Sequence, residues 1–155
     1  MTRLAFLIVF AVLGAASGAT AQTWRAPSEE FRRYGVLTAA CNDNGHGGVC
    51  LGLACPEGQL QLVSAAGGGG PMNGETSILI GQRRETVTFR WDDRGLDVLG
   101  IAASRAPIRA AVVEAIASTP RVVLRSNGVG SPLTHRFATR NLAREWQRVR
   151  ASCPG

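Results

Sequence analysis

Four cysteines, Cys41, Cys50, Cys55 and Cys153, constrain this chain more than any other feature. Three of them fall with His46 inside the stretch CNDNGHGGVCLGLAC, spaced C-x4-H-x3-C-x4-C. An even number of cysteines in an exported chain reads as a disulfide framework. Four cysteines allow three connectivities. Cys41 and Cys50 bracket NDNGHGGV, rich in the Asn, Asp and Gly that tolerate tight turns. The flanks VLTAA and CLGLA then pair as hairpin strands and bring Cys41 to Cys50, which leaves Cys55 to bridge to Cys153. The alternative is a Cys3His zinc site, with three thiolates and His46 on one ion. It would strand one cysteine, and an oxidising compartment disfavours free thiols. No C-x-x-C is present, so the usual dithiol oxidoreductase motif is missing.

The compartment is read from the first residues. MTRLAFLIVFAVLGAASGATA carries one positive charge, Arg3, then an apolar run from Leu4 to Leu13, then small residues ending in Ala19-Thr20-Ala21. That is the layout of a cleaved secretory signal, and the run is shorter than the roughly 20 residues a membrane span needs. The expectation is a signal peptide over 1–21 and a single domain over 22–155, periplasmic or secreted in a bacterium and not transmembrane after processing.

Alternation of apolar and polar residues marks most of the remainder as strands. VLTAAC, VCLGLAC and Gly58–Ala65 are short strands. AGGGGPMNGE interrupts them as a surface loop, with neither of the two glycine-loop phosphate motifs. Thr76–Gln82 and Glu85–Asp93 follow; in the second, Val87, Phe89 and Trp91 face one way and Thr86, Thr88 and Arg90 the other. Asp92 and Asp93 read as turn residues rather than paired catalytic carboxylates. Ser104–Pro120 is a helix, with Ser104 as cap and a stripe of Ile108, Ala111, Val112, Ala115 and Ile116. RVVLRSN and PLTHRFAT form a hairpin in which His135 shares a face with Leu133 and Phe137, as a satisfied core or cross-strand histidine. A closing helix runs from about Arg140 to Ser152, capped by Thr139 or Asn141. Leu142, Trp146, Val149 and Cys153 lie on one side of it, and Arg140, Arg144 and Arg148 on the other.

Charge is uneven. All 17 basic residues are arginine, and from Arg121 onward there are seven arginines and one acid, Glu145. The Arg140/Arg144/Arg148 ridge is the candidate partner-binding surface, suited to an envelope protein or an anionic surface. Trp146 lies opposite it, so the aromatic interleaving of a single-strand nucleic-acid binder is absent. No nucleophile elbow, zincin or EF-hand motif occurs. No catalytic residue, metal or cofactor is assigned.

The sequence CPEGQLQLV, a strand ending FRWDD, an apolar helix, and RVVLRSNGVGSPLTHRFATRNLAREWQRVRASC together resemble small uncharacterised periplasmic proteins of proteobacteria. They are distantly similar to the invasion-associated locus B and the type VI secretion-associated VasI-like families. The resemblance covers roughly Cys55 to Cys153. It implies a β-rich periplasmic domain without enzymatic residues; the glycine-rich Gly67–Gly74 loop and the Cys41/Cys50 pair depart from it. The expected fold is α+β: an antiparallel β-rich sheet or sandwich with one covering helix and a C-terminal helix, stapled by disulfides. The expected function is that of a non-enzymatic envelope or secreted accessory protein. The alternative is a small secreted enzyme or inhibitor built on the Cys41–Cys55 loop, with zinc at His46.

Overall fold

A computed structural model describes residues 23–42, 48–66, 73–91, 100–126 and 133–153. The signal-like segment, His46, Asp92, Asp93 and the run Gly67–Gly70 lie outside the described residues.

The strands are β1 (Val36–Asn42), β2 (Val49–Ala54), β3 (Gln61–Ala66), β4 (Gly74–Ile80), β5 (Arg83–Trp91), β6 (Gly100–Ser104), β7 (Arg121–Ser126) and β8 (Leu133–Ala138). The helices are α1 (Glu29–Arg33), α2 (Ala110–Ala117) and α3 (Leu142–Ser152), with one 3-10 turn at Pro56–Gly58. All eight strands join one antiparallel sheet in the order β1-β2-β3-β6-β5-β4-β7-β8. A long twisted sheet curls, and this one curls until its edges meet: Asn42 Nδ2 of β1 donates to the Arg136 carbonyl of β8 at 2.9 Å. The result is nearly a barrel.

The seam between the two edges is stitched by the N-terminal segment. Arg25 and Ala39 exchange backbone hydrogen bonds at 3.1 Å each. One residue earlier, the Trp24 N–H donates to the Arg140 carbonyl at 3.1 Å, and its indole Nε1 donates to the Ala138 carbonyl at 3.2 Å. Trp24 itself is buried in the core. An exposed sheet edge invites pairing with other chains; here the edge donors and acceptors near Ala39 are consumed internally.

One face of the sheet makes the main core: Leu51, Leu53, Leu62, Ile78, Ile80, Phe89, Val122, Leu124 and Phe137 are all buried there. Val112, Val113 and Ile116 of α2 join that cluster, as do Leu142, Trp146, Val149 and Cys153 of α3. On the other face a smaller cluster of Val36, Ala39, Ala54 and Val63 packs against Phe31 and Tyr34, beside α1.

Several elements differ from expectation. Ser104 does not cap a helix; it ends β6, and its Oγ accepts from the Leu62 N–H at 3.2 Å. The helix begins only at Ala110, after Pro107 and a capping position at Arg109. Its buried residues are Val112, Val113 and Ile116, so the apolar stripe is rotated by one position and Ala111 is exposed. The strand β6 was not expected, because GIAAS is small, short and without clear alternation. Alternation in β5 holds: Phe89 is fully buried and Thr86, Thr88 and Arg90 are exposed. All four apolar residues expected on the inner side of α3 are buried.

Candidate functional site

The cysteines pair as the hairpin reading proposed, Cys41 with Cys50 and Cys55 with Cys153. Cys41 and Cys50 are register partners of β1 and β2, so the strands themselves bring the sulfurs together. A thiolate zinc site at Cys41, Cys50 and Cys55 needs free sulfurs, whereas here Cys41 is bonded to Cys50 and Cys55 to Cys153. Two disulfides fit an oxidising compartment. Among the described residues no helix is long and apolar enough to cross a membrane, and no group of three His, Cys, Asp or Glu side chains is placed to hold a metal.

The three arginines expected to form one ridge do different things. Arg148 Nη2 lies 2.7 Å from Glu145 Oε2 and donates to the Leu37 carbonyl at 2.6 Å. Leu37 is the residue at which the β1–β2 register slips, between Val36 and Thr38. A bulge leaves its extra residue unpaired by the ladder, and Arg148 satisfies that carbonyl. Arg148 is therefore a latch between α3 and β1. Arg140 and Arg144 are exposed and enter no ion pair among the described residues. Arg150, outside the expected ridge, reaches Glu114 of α2 at 3.2 Å.

A second arginine surface emerges from the sheet order. Register places Arg84 beside Leu79, Leu79 beside Val123, and Val123 beside Arg136, one row across β5, β4, β7 and β8. The next row is Thr86, Ser77, Arg125 and Thr134. Side chains alternate along a strand, so Arg90 and Arg121 share this outward face. Arg84, Arg90, Arg121, Arg125 and Arg136 are all exposed, and none has an ion pair among the described residues. Glu75 is the one acid on these four outward-facing strand surfaces. Strand spacing of about 4.8 Å makes the Arg84–Arg136 row roughly 14 Å wide. The period-two polar positions were visible in the sequence; their assembly was not, because β5, β4 and β7 are neighbours out of chain order.

His135 does share the inward face with Phe137, but it is not satisfied. Its Nδ1 is buried without a hydrogen-bond partner, as is Thr76 Oγ1, two strands away on the same face. Burial lowers the His135 pKa from its ordinary 6.5, because desolvation disfavours the charged form.

Where α2, α3 and the 3-10 turn meet there is a cavity of about 380 Å³, lined by Leu60, Ile108, Trp146, Arg150 and Cys153 among others. The Cys55–Cys153 bridge forms part of its wall.

No protein-family model matches this chain, and no curated protein or solved structure matches it either.

Proposed function

We propose that this chain is an exported, non-enzymatic accessory protein of the bacterial envelope or its surroundings, and that it docks on an anionic polymer surface through the outward face of β5, β4, β7 and β8. The signal-like N-terminal segment and the two disulfides support the export reading. In this reading α2 and α3 close one opening of the curled sheet and hold it rigid, so that its outside can serve as a platform.

The observation that carries the binding reading is the arginine face. Five exposed guanidinium groups stand on one rigid sheet surface against a single glutamate. Guanidinium groups pair in fork geometry with carboxylate, sulfate or phosphate. Thr86, Thr88, Ser77 and Thr134 lie between them and offer hydroxyls to a sugar-rich partner. The outward positions of β4, β5, β7 and β8 named above carry no aromatic residue. That favours an acidic polysaccharide over single-stranded nucleic acid, whose bases need stacking partners. Arg140 and Arg144 add two further cations on α3.

The test is retention of the oxidised protein on an immobilised acidic polysaccharide such as alginate or heparin, eluted with salt. Arg125→Glu with Arg136→Glu should lower the eluting salt concentration sharply and leave Tm unchanged. Arg140→Glu with Arg144→Glu should have a smaller effect. Retention unchanged by the sheet pair would remove the sheet-face reading. Equal retention on single-stranded DNA at matched charge would transfer the reading to nucleic acid.

A further inference from the structure

The cavity between α2, α3 and the 3-10 turn is independent of the arginine face. Its volume of about 380 Å³ falls within the range of small-molecule sites, roughly 300–1,000 Å³. Its walls are mostly apolar: Leu60 and Ile108 on one side, Trp146 and Cys153 on the other. The Ile108 N–H donates to the Leu60 carbonyl at 2.8 Å, which holds the first wall together. The Cys55–Cys153 bridge holds the second.

Two polar side chains, Gln59 and Arg150, interrupt this apolar lining. Trp146 is 3% exposed, and its indole N–H is buried with no acceptor. That N–H has no accessible surface, so Trp146 meets the cavity with carbon atoms of its ring. Arg150 follows Trp146 by four residues on α3, and side chains at that spacing are neighbours on one helix face. Its guanidinium has one ion-pair partner, Glu114 at 3.2 Å, with side-chain exposures of 59% and 49%. An exposed pair of this kind is weak, so a ligand anion can take Glu114's place or share the guanidinium with it.

We propose that this cavity binds a small amphiphile with an apolar body and a single carboxylate. The apolar body lies against Leu60, Ile108 and the Trp146 ring. The carboxylate accepts from the Arg150 guanidinium, the charged group of the lining. A carboxylate fits better than a cation, because the charged side chain lining the cavity is a guanidinium. It fits better than an alcohol, because a guanidinium fork matches two oxygens. A fatty acid and an aryl carboxylate share this chemistry, and the two probes below separate them.

The experiment is a titration of the oxidised, nitrogen-15-labelled protein with decanoate and, separately, 2-naphthoate, followed by the tryptophan indole resonances. The chain has three tryptophans, and Trp146→Phe assigns the signal; if that variant does not fold, contacts to Cys153 protons assign it instead. The Trp146 indole proton should move on binding while that of Trp24 stays. Arg150→Gln should weaken carboxylate affinity by about tenfold or more without changing Tm, and Ile108→Trp should fill the cavity and abolish binding. Decanol and decyltrimethylammonium should bind at least about tenfold more weakly than decanoate. Tighter binding of decanoate than of 2-naphthoate identifies a chain-shaped ligand, and the reverse a ring. The proposal is overturned if millimolar carboxylate leaves the Trp146 resonance in place, if decanol binds as well as decanoate, or if Arg150→Gln binds as tightly as the wild type.

Discussion

At Gly52, on β2, an added Cβ would sit 3.0 Å from the Thr38 carbonyl oxygen, 3.0 Å from Val36 Cγ1 and 3.0 Å from Val63 Cγ2. A backbone oxygen cannot swing aside as a side chain can. Gly52→Ala is therefore expected to destabilise the fold by about 1–3 kcal/mol, the usual cost of overpacking, as read by denaturant unfolding. His135 supplies a second prediction at this scale. Its folded pKa is lowered by burial, so below the ordinary value the unfolded chain binds the proton more readily than the folded one. Stability from this group is complete above about pH 6.5 and declines as pH falls through the window beneath it. Thermal unfolding from about pH 7 to about pH 5 should show wild type losing more stability than His135→Gln; parallel curves would mean that His135 is not the group responsible. The inward direction of His135 was legible from its alternation with Phe137. Its missing partner was not, since that depends on which side chains the neighbouring strands present.

Helix α3 shows how one element acquires several jobs. Its N-cap, Asn141, adopts a left-handed conformation with φ 71°, and its Nδ2 donates to the Trp24 carbonyl at 2.9 Å. Asn tolerates that region better than other non-glycine residues. Asn141→Ala loses both the preference and the bond, and a loss of about 1–2 kcal/mol is expected. Two turns on, Arg148 holds the Leu37 carbonyl at the β1 bulge. Arg148→Gln should cost about 1 kcal/mol, whereas the exposed Arg144→Gln should stay within about 0.5 kcal/mol of wild type. Equal effects of the two would mean that the latch contributes nothing. Helical periodicity correctly separated the buried side of α3 from its arginine side. It could not tell a latch from a free cation, because Leu37 is remote in sequence and its carbonyl is free only through a bulge.

On the scale of the whole molecule, the two disulfides close loops of very different length. Cys55–Cys153 spans a sequence separation of 98, Cys41–Cys50 one of 9. Chain entropy assigns about 4.7 kcal/mol to the first and about 2.7 kcal/mol to the second. Replacing Cys55 and Cys153 by Ser should lower the denaturation midpoint more than replacing Cys41 and Cys50; the opposite order would show that local strand pairing, not loop closure, dominates. Pairing of Cys41 with Cys50, the antiparallel strands and the inner side of α3 all follow from local chemistry: turn residues between Cys41 and Cys50, period-two alternation, and period-3.6 spacing; the Cys55–Cys153 bridge follows only as the pair left over. Each of the first three involves neighbours within one element or one hairpin, so the chain carries the information in plain order. The closure of the sheet by Trp24 and Arg25, the gathering of Arg84, Arg90, Arg121, Arg125 and Arg136 on one face, and the cavity beside Trp146 come only from the strand order β3-β6-β5-β4-β7. That order joins residues far apart in the chain, and long-range pairing is selected by the burial of the whole core rather than by any local pattern.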